Sequence, residues 1–322
     1  MRKTFLAFLA SAALVYPGLQ QSFAADKIRI AVANFNVSFM TAGVAAKKGY
    51  FRDEGLEPEI IGMRPPVSIT ALASGDIDYT TVFGSVVRAA VRGLPVRVVA
   101  SWIDGSTHAL IARPEFKSVK DLRGKTMGVG SYGASDDIAG RMMVKHYGVD
   151  PEKQMKVVAL GPDRARFAAL KEGIVDVAVI APPMDSEGRK AGFNILARAY
   201  EIFTFPFVGL GTSTKKLSEK PEEVRRTLKA FIRANRFIRD NREESIQILT
   251  AWGRTDRSSA TAAYDAAVKV FNADGTIPES GLRLVLEQAR SEANIGREIA
   301  VTEVADLTLL REAQKELGTK GR

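Results

Sequence analysis

Short apolar runs alternate with stretches of helical spacing over the first two thirds of the chain, and glycines punctuate most of the junctions. The first series opens with a strand at Ile28 to Ala33. A loop from Asn34 to Ser38 leads into a helical segment ending near Gly49. A strand at Leu56 to Ile61 ends at Gly62, and a helix then runs to Gly75, which suits a left-handed C-terminal cap. Next come a strand at Ile77 to Thr80, a turn at Phe83-Gly84-Ser85, a helix to Gly93 and a strand at Val96 to Trp102.

The same series is then written again. A strand at Lys125 to Gly130 leads through the loop Ser131 to Ser135 into a helix ending near Gly148. Lys156 to Leu160 ends at Gly161, a helix runs to Gly173, and Val175 to Ile180 leads to Ala181-Pro182-Pro183. A helix to Gly192 and a strand at Phe193 to Ala197 close the copy. Gly62 and Gly161 lie 99 positions apart, Gly75 and Gly173 lie 98 apart, and so do Asp78 and Asp176. Several pairs holding one register across a whole βα series indicate an internal repeat.

Strands alternating with helices imply mostly parallel sheets covered on both faces, and two copies imply two doubly wound α/β lobes. Val208 to Thr212 reads as a short strand returning to the first lobe. Pro221-Glu222-Glu223 opens a helix with favourable first-turn chemistry, continued by Val224, Leu228, Phe231, Ile232 and Ile238 at helical spacing. Further helical segments cover Ser258 to Phe271, Pro278 to Ala293 and a short tail after Asp306. The first lobe is therefore expected to combine residues 26–110 with 208–322, and the second to cover 111–207. The chain crosses near Ala109 to Lys117 and near Tyr200 to Val208, and two crossings make a hinge.

Composition changes the picture at the N-terminus. Arg2 and Lys3 precede an apolar run from Thr4 to Val15, Pro17-Gly18 breaks it, and Ser22-Phe23-Ala24 offers small residues at a cleavage site. That is the grammar of a secretory signal peptide over residues 1–24, too short to span a bilayer. Cleavage is expected after Ala24, or alternatively Ala25, delivering the protein to the periplasm. The 322 residues include no cysteine, so no disulfide and no lipid-anchored cysteine is expected. Loss of Arg2 and Lys3 lowers the net charge from +9 to +7. The basic residues are scattered beside acids without an aromatic-laced stripe, which speaks against nucleic acid as a partner.

Ligands in open parallel sheets bind beyond the carboxyl ends of the strands, where helix N-termini present free N–H groups. Four loops fall there. The first lobe offers Asn34, Phe35, Asn36 and Phe39, together with Phe83, Gly84 and Ser85. The second offers Ser131, Tyr132, Gly133, Ala134 and Ser135, together with Pro182 and Met184. Trp102 joins Phe35, Phe39, Phe83 and Tyr132 as an aromatic near the expected cleft, although core packing explains each aromatic singly. Asp136 and Asp137 complement a helix dipole in the first turn. If Asp136 faces the cleft instead, it opposes an anion and favours an amine or hydroxyl. Gly128 to Gly133 has the wrong glycine spacing for a dinucleotide fingerprint. His108 and His146 are far apart in the pattern, so no metal, cofactor or acid–base pair is expected.

Gly49-Tyr50-Phe51 with Gly55-Leu56, Leu72-Ala73-Ser74-Gly75-Asp76-Ile77-Asp78, Leu122 to Val129, and Leu170-Lys171-Glu172-Gly173-Ile174-Val175-Asp176 carry a resemblance. The chain resembles the nitrate/sulfonate/taurine family of ABC-transporter substrate-binding proteins. That resemblance implies a type II periplasmic-binding-protein fold with a two-crossing hinge, and ligand contacts from the four loops above. It implies a monomer that captures a small organic solute (sulfonate, carboxylate or aromatic/heterocyclic) and docks transiently on membrane permease subunits. Ala134 stands where relatives carry a hydroxyl residue and Tyr132 is bulky, a departure that turns the expectation from a plain oxyanion toward an organic solute. The same fold hosts enzymes, including pyrimidine-precursor synthases, which resemble unexported, cysteine-containing chains. A periplasmic sensor subunit is the remaining alternative.

Overall fold

A computed structural model describes residues 25–203 and 205–318. The expected signal peptide, residues 1–24, lies outside the described residues. Ten strands form two sheets of five. In the first sheet, β1 (Asp26–Val32), β2 (Leu56–Gly62), β3 (Tyr79–Thr80), β4 (Val96–Ile103) and β10 (Val208–Ser213) lie in the order β2-β1-β3-β10-β4. In the second, β5 (Ala109–Ala112), β6 (Thr126–Val129), β7 (Lys156–Ala159), β8 (Val177–Ile180) and β9 (Asn194–Arg198) lie in the order β7-β6-β8-β5-β9. The two orders match position for position. In each sheet the fourth strand alone runs antiparallel to its neighbours.

The strands read as apolar runs because helices cover both faces. β8 is buried at every position, and β4 at every position except Arg97. The first lobe carries α1 (Met40–Lys47), α2 (Tyr50–Asp53), α3 (Pro65–Ser74) and α4 (Phe83–Val91). The second carries α5 (Ser135–His146), α6 (Asp163–Lys171) and α7 (Met184–Lys190). After β10 the chain continues through α8 (Thr214–Glu219), α9 (Pro221–Asp240), α10 (Arg242–Gly253), α11 (Arg257–Ala267), α12 (Glu279–Glu292) and α13 (Thr308–Glu316). Pro221 starts α9, and Glu222 and Glu223 fill its first turn. Gly75 closes α3 at φ 86°, where a side chain would be strained.

The structure departs from the sequence pattern in four places. Ala109 to Ala112 is not crossing chain but a strand, paired with both β8 and β9, so the first crossing is the stretch between β4 and β5. Phe83-Gly84-Ser85 is not a free turn but the first turn of α4. Its Phe83 faces inward onto Gly209, where a Cβ would lie 2.6 Å from the Phe83 ring and 2.1 Å from the Ala100 carbonyl. Ser135 is not the end of the loop but the first residue of α5, and Ala134 holds the cap position without a side-chain bond. Helix α10 was not expected, although Ser245, Ile246, Ile248 and Leu249 are buried at helical spacing.

Candidate ligand cleft

The carboxyl ends of the two sheets enclose a cavity of about 420 Å³. The first lobe contributes Ala33, Asn34, Phe35 and Phe39 from the segment after β1, and Gly62, Met63, Arg64 and Pro65 from the end of β2. The second contributes Gly130 and Ser131 after β6, Ser135 and Asp136 at the start of α5, Gly161 and Pro162 after β7, and Arg166 from α6. His108 of the first crossing closes the back.

Six of the candidate residues therefore meet in one cavity: Asn34, Phe35, Phe39, Ser131, Ser135 and Asp136. Asn36 and Met184 line a neighbouring pocket of about 450 Å³ that shares Asn34, Phe35 and Pro162 with the first, and Trp252 of α10 forms its wall. Pro182 ties the lobes, its carbonyl accepting from the Val37 N–H at 3.2 Å. The remaining candidates lie elsewhere. Tyr132 is 61% exposed and donates its hydroxyl to the Val157 carbonyl at 3.2 Å, so it lies along β7 rather than over the cavity. Gly133 lines a separate groove beside Arg141 and Glu292, and Ala134 is buried. Phe83 is core. Gly84 and Ser85 sit beside Arg88. Trp102 is wholly buried, stacked on Phe231 of α9 with ring centroids 5.2 Å apart.

Phe35 is the aromatic face of the cleft. It is 46% exposed and rests on Gly62, where a Cβ would come within 2.9 Å of its ring. Trp252 props it from behind at 4.7 Å between centroids, held by an indole N–H bond to the Asn36 carbonyl at 3.0 Å.

The second-lobe wall is built on a guanidinium that the sequence reading missed. Arg166 is 1% exposed. Its Nη1 donates to Asp136 at 2.6 Å and to the Gly161 carbonyl at 2.9 Å, and its Nη2 donates to Asp163. Asp163 also accepts from Asn36 Nδ2 at 2.5 Å, across the cleft. Burial lowers the Arg166 pKa, and Asp136 opposes the shift. Asp136 also accepts the Gly130 N–H, and Asp137 accepts the Gly133 N–H at 2.8 Å. Asp136 is thus committed to Arg166 and does not stand in the cleft as a free anion. One signal was available. The 99-residue offset that pairs Gly62 with Gly161 also pairs Val67 with Arg166, a charge where the first copy has an aliphatic side chain.

His108 is fully buried between the crossings, its ring edge-on to Phe207 at 5.2 Å. Burial, reinforced by Arg166, pushes its pKa down to about 3. An unfolded histidine titrates near 6.5, so the folded chain binds fewer protons as pH falls through the window between those values, and stability drops there. The expected contribution is a loss of about 2 kcal/mol at pH 5 relative to neutral pH. Urea denaturation at pH 7 and pH 5 should show a smaller acid loss for His108→Gln than for the parent. Equal losses would mean that His108 is protonated in the fold.

Among the described residues no group of histidine, cysteine and carboxylate side chains is placed to hold a metal ion, and no helix is long and apolar enough to cross a membrane.

Two sheets of identical order, two crossings and a cavity shared by both define a two-lobed, type II periplasmic-binding architecture. The chain belongs to the NMT1/THI5-like family, whose model matches residues 36–245. That is the family to which the glycine-rich motifs pointed. A putative binding protein of Brucella abortus is 27% identical over 267 residues, covering 80% of this chain and 81% of the relative. A riboflavin-binding protein of Chloroflexus aurantiacus is 29% identical over 223 residues, covering 66% of this chain and 62% of the relative. Among solved structures, a putative periplasmic sulfonate-binding protein of an ABC transporter from Methylobacillus flagellatus superposes with a TM-score of 0.70. It is 19% identical, over 92% of this chain and 96% of that one, and so speaks for the fold.

Proposed function

We propose that the chain is the solute-capturing component of an ABC importer, exported to the periplasm. It closes two lobes over a small organic solute and presents the closed form to permease subunits. The observation that carries this reading is the set of contacts that cross the cleft beside the cavity. Asn36 reaches Asp163, and Arg164 of α6 donates to the carbonyls of Gly253 and Arg254 at 2.7 and 2.8 Å. Thr255 donates to Glu187 at 2.5 Å, and Lys190 pairs with Asp256 at 3.2 Å. All of them join the second lobe to the first, so opening the cleft breaks them together. The moving units are the two sheets with their helices, turning about the segments between β4 and β5 and between β9 and β10.

The solute class follows from the walls. Phe35 supplies an aromatic face, while the hydroxyls of Ser131 and Ser135 supply donors. A carboxylate, a sulfonate or a heterocycle of modest size fits that lining. The likeness to a riboflavin-binding relative supports a flat solute.

A ligand shifts an open-closed equilibrium only by its differential affinity for the two states. A captured solute at a hundredfold excess over Kd is expected to stabilise the fold by about 2.7 kcal/mol. Calorimetry and thermal shift with a solute library should give such a complex with no product by mass spectrometry. Turnover of a bound solute would move the chain to the enzymes of this fold, and a library without any binder would remove the basis for capture.

A further inference from the structure

The two walls of the cavity differ in charge, and the difference locates the solute's own charge. On the second-lobe wall Arg166 is already matched by two carboxylates, Asp136 and Asp163. The Gly130 N–H, which would otherwise meet an anion, donates to Asp136. A small oxyanion seated beside the Ser131 and Ser135 hydroxyls also faces the Asp136 carboxylate. On the opposite wall Arg64 is exposed, and its guanidinium has no hydrogen-bond or ion-pair partner among the described residues. It follows β2 directly, two residues beyond the glycine on which Phe35 rests. Its guanidinium reaches across the mouth to within 3.5 Å of where a Cβ on Gly161 would stand. Between the two walls the lining is Phe35, Phe39, Met63 and Pro162, apolar and partly flat.

We infer that the cleft selects a flat aromatic or heteroaromatic carboxylate, its ring on Phe35 and its carboxylate paired with Arg64 at the mouth, and discriminates against small oxyanions. The inference rests on the capture function proposed above. A guanidinium meets a carboxylate through two parallel N–H bonds, an arrangement that a neutral amide cannot match. Closure of the lobes over the solute would shield the pair from water, and a charge-assisted hydrogen bond so shielded is worth roughly tenfold in affinity or more.

The test uses four probes in calorimetry with the mature protein: 2-naphthoate, 2-naphthamide, methanesulfonate and nitrate. The expected result is that 2-naphthoate binds at least tenfold tighter than 2-naphthamide and that the two small oxyanions do not bind. Arg64→Gln should bring 2-naphthoate down to the amide's affinity and leave the amide unchanged, with an unaltered circular-dichroism spectrum. Tighter binding of nitrate or methanesulfonate, equal binding of acid and amide, an Arg64→Gln variant that keeps its preference, or silence from all four probes overturns the inference. Native mass spectrometry of freshly purified protein reads the capture function separately. A co-purified solute of another class would leave capture standing while the carboxylate assignment falls.

Discussion

Replacing Arg166 with methionine is expected to cost about 3–5 kcal/mol of stability, because the change removes one partner from a buried ionic cluster and leaves the others in place. Asp136 and Asp163 are 7% and 4% exposed. Without the guanidinium two carboxylates remain in an apolar setting, with the Gly130 N–H and Asn36 as their remaining named donors. Methionine fills comparable volume, so lost packing contributes little and the deficit reports on charge. The midpoint of urea denaturation measures it. The triple variant Arg166→Met, Asp136→Asn, Asp163→Asn separates charge from shape: neutralising all three members should restore most of the loss, since a buried ion cluster and a neutral replacement of similar volume differ little in net stability. A single variant as stable as the parent would show that the cluster is solvated in the native protein. The fully neutral variant is still expected to capture solute poorly, because Arg166 also fixes the Gly161 turn through its carbonyl.

Removing the Phe35 ring should weaken solute capture by roughly thirty- to a hundredfold, or about 2–3 kcal/mol, while leaving stability nearly unchanged. The separation of the two effects follows from placement. Phe35 is half exposed, so the fold gains little from it, whereas a bound ring would cover that face. Trp252 keeps its bond to the Asn36 carbonyl in Phe35→Ala, so the wall behind stays in place. Phe35→Tyr keeps the flat face and should keep most of the affinity; Phe35→Leu keeps bulk without the face and should lose an intermediate amount. Calorimetry with whichever solute the library identifies would decide it. A threefold change or less in Phe35→Ala would place the solute away from this ring.

The repeat was legible because a strand covered on both faces must be apolar throughout, and glycines mark where each βα unit turns. What the repeat concealed is that the fourth strand of each sheet runs antiparallel; Val208 to Thr212 reads as a returning strand, but Ala109 to Ala112 reads as crossing chain. β5 and β10 belong to neither βα series; each is the first strand after a crossing, and nothing local in Ala109 to Ala112 distinguishes a strand from connecting chain. The cavity loops after β1 and β6 were legible from the rule that ligands gather beyond strand carboxyl ends, whereas those after β2 and β7 were not among the four expected. The direction of each side chain was not legible, because distant elements set it. Phe83 turns inward because Gly209 leaves room for its ring, Trp102 is covered by Phe231 of α9, and Tyr132 is drawn to the Val157 carbonyl on the neighbouring strand. Arg166 required reading the repeat for its differences rather than its matches.

The exchanged fourth strands also impose an order of assembly. Every strand of the second sheet lies between Ala109 and Arg198, so that sheet can close as soon as this stretch is available. The first sheet lacks the strand between β3 and β4 until Val208–Ser213 arrives, and until then two strand edges stand open in its middle. A chain that becomes available from its N-terminus onward therefore finishes its second lobe while its first is still divided. Pulsed hydrogen exchange during refolding should find β6 and β8 protected before β4.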